Sequence, residues 1–589
     1  MRRETVPVLI VGGGGAGLTA SMLLSRMGVD ALLVNAAPRT SELPKAHVLN
    51  QRAMEVLADC GVADEIYRVG TPPEQFSHTA MYAGFAGHDG AGRVIFKQES
   101  WGAGGMDEEW RMASPKVSSN LPQIRLEPIL RARAELMSPG RVRFHHEVTH
   151  VENLDDRVIA RVTNHDSSET YEVEAEILLA CDGGRTIGRQ VGIEWEGPRD
   201  LSRTVSFYLS ADFSEFAGDP DVLLRWIWSP FSGRMVVMAP MGPLRWGADS
   251  EEWVVHLGYG IDDERAFDDA AVEADLRSDL GIGEHRLDIH TITRWTIGGV
   301  VADRFRVGRV LVAGDAAHRH PPTGALGLTS AIHDVHNVCW KIAAVCQGRA
   351  GLELLDSYEA ERRPVDARNV ARSLENSKGY ATMAKLMRIG DKSLTFDDRW
   401  NALSRLWSNE PEDASFRRRI LELMAAQSQE FREHDVEYGY DYESGAVIPD
   451  GSASVADSDF RCYIPSTRPG SPLPHAWIED WNQNRCSTLD LVTPGSFVLI
   501  AGEDGDDWCR AAEVVRDEIG VELNAITIGH SRGDWRDPRL RWHRVRGFDS
   551  RGAILVRPDR CVAFRAMTMM DDPNSVLRSV VRRVLAIEA

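Results

Sequence analysis

Val8-Leu9-Ile10-Val11 is an apolar run that stops at the glycines Gly12–Gly15, and an apolar stretch, Leu18–Met27, follows at helical length. This pattern predicts strand, tight turn and helix. Asp30–Asn35 reads as a second strand, and Pro44–Leu57 passes from a loop into a helix. Residues 79–110 alternate apolar pieces with glycine-rich turns, as a sheet-forming insertion would, and a helix starts after Pro122. Arg143–His150 and Val158–Val162 alternate like strands around a turn at Asp155-Asp156, and Glu172–Ala180 is the next strand. Residues 196–290 change character: Val222–Trp228, Gly233–Met241 and Glu252–Tyr259 read as antiparallel strands. Arg309–Ala313 returns to the first type of strand, and Leu328–Val345 is a long apolar helix. Residues 371–450 are charged and helical, with Trp400 and Trp407 among them, and Glu443–Ser454 has linker composition. Beyond it, strands at Ser496–Gly502, Glu522–Gly529 and Gly552–Val556 alternate with helices at Asp507–Ile519 and Pro573–Leu585. That is a small α/β domain of ordinary size.

A chain of 589 residues implies several domains. The pattern divides into a discontinuous first domain (1–78, 111–195, 291–370), a sheet domain (79–110, 196–290), a helical connection (371–450) and a C-terminal domain (451–589). No apolar run reaches about 18 residues, so no membrane partner is expected. Met1-Arg2-Arg3 leads straight into the first strand, so no signal peptide is expected and the location reads as cytoplasmic. A net charge of −21 speaks against nucleic acid as partner. The eight cysteines, Cys60, Cys181, Cys339, Cys346, Cys462, Cys486, Cys509 and Cys561, form no C-x-x-C, so they read as buried thiols in a reducing compartment.

Gly12, Gly14 and Gly17 satisfy G-x-G-x-x-G between strand and helix. Such glycines let the backbone approach a diphosphate, and the helix N-terminus supplies N–H donors. The competing reading is a glycine-rich structural turn. Asn35 stands where a nucleotide-binding unit usually carries an acid for the ribose hydroxyls. Two further strand ends carry turns with a carboxylate: CDGGRT at Cys181–Thr186 and GDAAHRHPPTGALGLT at Gly314–Thr329. His318 and His320 form H-x-H without an evident third ligand, so no metal site is expected.

The three turns together resemble the group A FAD-dependent aromatic hydroxylases of the 4-hydroxybenzoate hydroxylase fold. PKAHVLNQRAMEVL and LPQIRLEPILRARAE are similar to the phenol hydroxylase branch, which includes 2,4-dichlorophenol 6-monooxygenase and 2-hydroxybiphenyl 3-monooxygenase. PGSPLPHAWI and GAILVRPDRCVAFR are similar to that branch's thioredoxin-like C-terminal domain. The resemblance implies an α/β fold: a discontinuous Rossmann-like FAD domain, an antiparallel substrate domain and a thioredoxin-like domain, assembled as a homodimer.

It also implies site residues. Gly12, Gly14 and Gly17, with Gly15 and Ala16 between them, would meet the FAD diphosphate, Asn35 the ribose, Arg52 the diphosphate and Gln123 the ribityl chain. Asp182 and Gly183 belong to a motif tied to FAD and NAD(P)H, and Asp315 would hold a ribityl hydroxyl. Pro322 would lie beside the flavin ring. Gly327, Leu328 and Thr329 would follow it; the family has Asn where this chain has Thr329, so only a backbone role carries over. Backbone N–H groups at a helix N-terminus suit the negative charge of reduced flavin.

The implied reaction is ordered. NADH or NADPH reduces FAD, O2 adds at flavin C4a, and the hydroperoxide hydroxylates a phenol ortho to its hydroxyl. A phenol reacts better as phenolate, so a base near the hydroxyl helps. His47, in AHVLNQR, is the candidate, against the alternative of a backbone-bonded structural histidine. Arg245 is a further catalytic candidate, and Trp226, Trp228 and Trp246 are candidates for the pocket wall, with core packing as their other reading. Rival functions are the same chemistry on a polycyclic polyketide, a flavin oxidase or dehydrogenase without hydroxylation, and a flavin-binding protein that is not an enzyme.

Overall fold

The computed structural model describes residues 2–102, 108–388, 390–391, 393–454 and 463–587, so Cys462 lies outside the described residues. The structure is mixed α/β, and three large sheets organise it. The first is centred on β1 (Arg2–Val11), whose Val8, Leu9 and Ile10 are fully buried. Burial on both faces is what a parallel strand between helical layers requires. β1 pairs in parallel with Thr170–Ala180 on one side and with β2 (Ala31–Asn35) on the other. Val310–Val312 and Val142–Phe144 extend the sheet in parallel outward. α1 (Gly15–Arg26) leaves the end of β1 and packs on the helices Leu326–Cys346 and Gln123–Met137.

The expected strand Arg143–His150 is two strands. Val142–Phe144 pairs with β2; His145, at φ +63°, redirects the chain; His146–Asn153 then forms a hairpin with Val158–Asn164. Alternation of side chains continues through such a break, so the sequence pattern does not mark it.

The second sheet runs in the order Asp288–Ile297, Ser202–Ser210, Glu252–Tyr259, Met235–Gly242, Val222–Trp228, His78–Ala83, Arg93–Glu99. All neighbours are antiparallel except Val222–Trp228 with His78–Ala83. Strand alternation sorts its residues onto two faces. Val205, Phe207, Leu209, Val255 and Leu257 point into a core shared with the helix Asp269–Leu280. Ser206, Tyr208, Glu252 and His256 point the other way. Arg125, from the helix Gln123–Met137 of the first layer, donates to Glu252 at 2.5 Å and ties that polar face to the first sheet.

In the third sheet, Phe497–Gly502 and Leu523–Gly529 are parallel, and Ala553–Val556 and Val562–Ala566 continue antiparallel. Helices Asp506–Ile519 and Pro573–Val584 pack together against its apolar face. A single helix, Asp356–Leu386, runs through position 370, where the sequence pattern placed a boundary.

Buried charge joins the third sheet to the first layer. Lys341 reaches Glu361 at 2.7 Å, Arg557 reaches Glu361 at 2.6 Å and Asp559 at 2.5 Å, and all four side chains are buried. Burial works against the Lys341 charge and brings its pKa down to about 8, although Glu361 opposes the shift. Glu361 is held well below the carboxylate range by Arg557 and Lys341, against the effect of its burial. Breaking such a pair strands a buried charge. Glu361→Ala is expected to cost about 3–5 kcal/mol, read as a lower urea midpoint; an unchanged midpoint would remove the network from the stability argument.

Candidate functional site

The three strand-end turns converge through contacts only glycine allows. Gly12 has φ +114°, and a Cβ there would lie 2.2 Å from the Cys181 carbonyl oxygen of the second turn. A Cβ on Gly17 would lie 1.9 Å from the Gly12 carbonyl oxygen, and one on Gly15 would lie 2.7 Å from Leu328 Cδ1 of the third turn. Gly314, at φ +61°, would place a Cβ 3.0 Å from the Ala331 Cβ of the helix Leu326–Cys346. Gly14 begins α1 without a side-chain cap, so the helix presents free N–H donors beside a cradle without Cβ atoms. That is the donor set a diphosphate needs.

Around this cradle several expected residues are already engaged. The Asn35 Oδ1 accepts the Gly13 N–H at 2.9 Å and its Nδ2 donates to the Ala37 carbonyl at 3.0 Å, so Asn35 braces the glycine loop. Asp182 accepts N–H bonds from Gly184, Thr186 and Ile187 and so caps its own turn. Gly183, at φ +71°, offers its carbonyl to Arg319 at 2.5 Å. Gln123 donates to Glu127 at 2.8 Å and accepts from the Ala46 N–H at 3.1 Å, which fixes the loop before α2 (Gln51–Asp59). Asp315 is exposed, with no side-chain bond among the described residues, and Pro322 is exposed as well. Gly327, Leu328 and Thr329 form the first turn of the helix Leu326–Cys346. The Thr329 hydroxyl donates back to the Leu326 carbonyl at 3.0 Å, which leaves its backbone, not its side chain, for a ligand.

Three residues lie elsewhere than expected. Arg52 is buried with Glu55 at 2.6 Å and donates to the Asp559 carbonyl at 2.8 Å, so its guanidinium is spent on the C-terminal sheet. Arg245 is 58% exposed and pairs with Glu251 at 2.8 Å. Trp246 is buried in the core around the first sheet, packed on Gly242. Each is a charge or ring whose partner is chosen by the fold, and residue type alone does not reveal it.

The third turn is held by groups that the motif only partly announced. Asp334 accepts the Gly314 N–H at 2.9 Å, the His318 imidazole at 2.7 Å and the Arg362 guanidinium at 2.9 Å, all of it buried. Arg362 continues to Asp366 at 2.7 Å. His318, Asp334 and Asp366 come within metal-ligand reach of one another, but Arg362 already supplies the positive charge there. Burial opposes a charge on His318, yet Asp366 and Asp334 raise its pKa to about 9.

In the loop before α2, the His47 Nδ1 lies 2.6 Å from the Asn120 Oδ1, and the Asn120 amide N–H₂ donates to Thr71 at 2.7 Å. With its oxygen thus facing the ring, Asn120 makes His47 the Nδ1–H tautomer. The Nε2 lone pair makes no hydrogen bond within the described protein. Burial holds the His47 pKa below its ordinary value, against the Asn120 bond, so the ring is neutral. Trp226 stacks on Tyr380 at 4.2 Å, and Trp228 is buried in the same core. The sequence reading missed Glu430, which accepts from Tyr380 at 2.6 Å, from Gln427 at 2.6 Å and from the Gly324 N–H at 3.2 Å. It couples the Trp226–Tyr380 stack to the Pro322–Gly324 corner, and burial raises its pKa to about 7. In sequence it is one acid in a charged stretch.

Comparison with known proteins agrees with this geometry. A family described as the FAD binding domain matches residues 5–373, and the aromatic-ring hydroxylase C-terminal domain matches residues 466–586. The chain is 32% identical to a 2,4-dichlorophenol 6-monooxygenase of Delftia acidovorans over 98% of both chains. It is 31% identical to a phenol 2-monooxygenase of a Pseudomonas species, over 97% of this chain and 92% of that one. It is also 31% identical to a tetracenomycin B2 monooxygenase-dioxygenase of Streptomyces olivaceus over the full length of both. Among solved structures, the flavin-dependent monooxygenase PieE in complex with FAD and substrate matches with a TM-score of 0.91 and 34% identity, over 99% of each chain.

A methyl group at residue 12 has nowhere to go but into the Cys181 carbonyl. Gly12→Ala is therefore expected to weaken FAD retention by about 5- to 150-fold, from strain of about 1–3 kcal/mol. The check is FAD fluorescence on titration of the stripped protein; retention equal to the unsubstituted chain would break the link between cradle and cofactor.

Proposed function

The chain belongs to the FAD-binding aromatic-ring hydroxylases, and on that footing we propose that it hydroxylates a phenol ortho to its hydroxyl, with NADH or NADPH as electron donor and O2 as co-substrate. FAD, when bound, supplies electron storage and oxygen activation. The protein's part is to hold the cofactor, keep the third turn rigid and take a proton from the substrate. Gly12, Gly14, Gly15 and Gly17 bring the diphosphate to the α1 N-terminus. The backbone N–H groups of Gly327, Leu328 and Thr329 offer donors to negative charge on the flavin ring. Asp334, His318 and Arg362 hold that turn in place.

The observation that carries the reading is the His47 ring: neutral, fixed by Asn120 as the Nδ1–H tautomer, with a free Nε2 lone pair. A phenolic O–H within reach of Nε2 can give up its proton, which raises electron density on the ring carbon to be attacked. Similarity to the tetracenomycin B2 monooxygenase-dioxygenase over the whole chain supports a second reading, the same chemistry on a polycyclic polyketide, and the same base serves both. A cytoplasmic homodimer is part of the proposal on the resemblance to the phenol hydroxylase branch. Among the described residues no helix is long and apolar enough to cross a membrane.

The test is to purify the protein with its FAD and screen simple and polycyclic phenols for stimulated NAD(P)H oxidation with a product heavier by one oxygen atom. Hydrogen peroxide in full yield with every phenol would favour an oxidase, and colourless protein that refuses FAD would end the proposal.

His47→Ala is expected to lower kcat by about 10²–10⁴-fold. Because burial lowers the His47 pKa, the acid limb of kcat/KM should lie below the ordinary imidazole value of 6.5, and the variant should lose it. An acid limb that survives the substitution would exclude His47 as the base.

A further inference from the structure

The polar face of the second sheet carries a second histidine, His256. His256 stands directly across from Ser206 on the neighbouring strand, and its Nδ1 lies 2.7 Å from the Ser206 Oγ. That oxygen also accepts the Trp295 indole N–H at 2.9 Å. An indole can only donate, so the Ser206 proton is left for His256 Nδ1. The opposite arrangement would strand a hydroxyl proton without an acceptor. His256 is therefore the Nε2–H tautomer.

The His47 loop borders the same face: Leu121 donates its N–H to the His47 carbonyl at 2.7 Å, and Arg125, four residues further on, donates to Glu252 on the His256 strand. Burial first, and His47 second, bring the His256 pKa down to about 4, so this ring is neutral too. Neither Nε2 has a partner among the described residues. The charged groups of the same face, Arg125 and Glu252, are paired with each other, and Tyr208 donates to Glu252. The site thus offers one lone pair, on His47 Nε2, and one N–H, on His256 Nε2. A phenolic hydroxyl needs that complement: an acceptor for its hydrogen and a donor for its oxygen.

We propose that His256 is a second catalytic residue, whose Nε2–H donates to the phenolic oxygen while His47 Nε2 takes the hydroxyl proton. The assignment rests on the reading of His47 as the base. When the O–H bond breaks, the proton passes to His47 and the electron pair stays on the oxygen. The bond from His256 then becomes charge-assisted and strengthens. It therefore favours phenolate over phenol before any oxygen transfer.

The test uses the FAD-loaded enzyme without nicotinamide and 4-nitrophenol as probe, because only its phenolate is yellow. Difference absorbance against pH reads the ionisation of the bound probe. The unsubstituted enzyme should bind the probe with a pKa below its value in water. His256→Phe should raise that pKa by about one unit, a tenfold loss of phenolate at fixed pH. His256→Gln, which keeps an N–H near the Nε2 position, should recover most of the shift. Ser206→Ala, which leaves the imidazole and removes only the group that orients its proton, should give a smaller rise in the same direction. A bound probe that titrates identically in the Phe and Ala variants and the unsubstituted enzyme overturns the assignment. If His47→Ala loses turnover while that titration stays unchanged, only the His256 assignment fails. If His256→Phe shifts the titration and His47→Ala keeps full turnover, only the His47 reading fails. No spectral change on mixing overturns both.

Discussion

The Cys181 carbonyl oxygen occupies the place a side chain at residue 12 would need. Everything else in the cofactor half depends on that contact. It brings the second turn against the first, and the equally close Gly17–Gly12 approach seats α1 on the loop. The Leu328 side chain against Gly15 then fixes where the third turn stands. Backbone atoms packed this closely cannot relax around a methyl group as side chains can. The geometry of three distant stretches is set by the lack of three Cβ atoms.

Charge does the rest, and it does so in the interior. Asp334 gathers a backbone N–H, an imidazole and a guanidinium around one carboxylate, and so the third turn is pinned to two helices. The Lys341–Glu361–Arg557–Asp559 cluster performs the same service for the C-terminal sheet. Buried pairs of this kind add little net stability over apolar packing, but they punish any other arrangement by leaving a charge alone. Their role is to make one relative placement of the layers far better than its neighbours.

The turns, the central parallel strands and the long helix after the third turn were legible in the sequence, because each couples an apolar run to a glycine-rich stop. The antiparallel sheet was legible as alternation, though not its neighbour order, which is decided by contacts between residues far apart. Asn35 shows why the site was read less well than the fold. Its amide could serve a ribose or the loop beneath it, and only the Gly13 N–H at 2.9 Å shows that it braces the loop. The family resemblance set Arg52 at the diphosphate, yet its partners are Glu55 and a carbonyl 507 residues away. His256 carried no motif at all; its meaning comes from Ser206 across the ladder.

The helix Asp356–Leu386 touches several parts of the molecule along its length. At 31 residues it extends roughly 46 Å at 1.5 Å per residue. Along it, in order, sit Glu361 under the C-terminal sheet, Arg362 and Asp366 under the third turn, Ser373 against Thr323, and Tyr380 on Trp226. These fastenings share one rod, so their spacing is preset by helical pitch and not by loops. Fourteen residues separate Asp366 from Tyr380, about 21 Å along the axis, so the distance between the third turn and the Trp226 ring is written into the helix and no loop can adjust it.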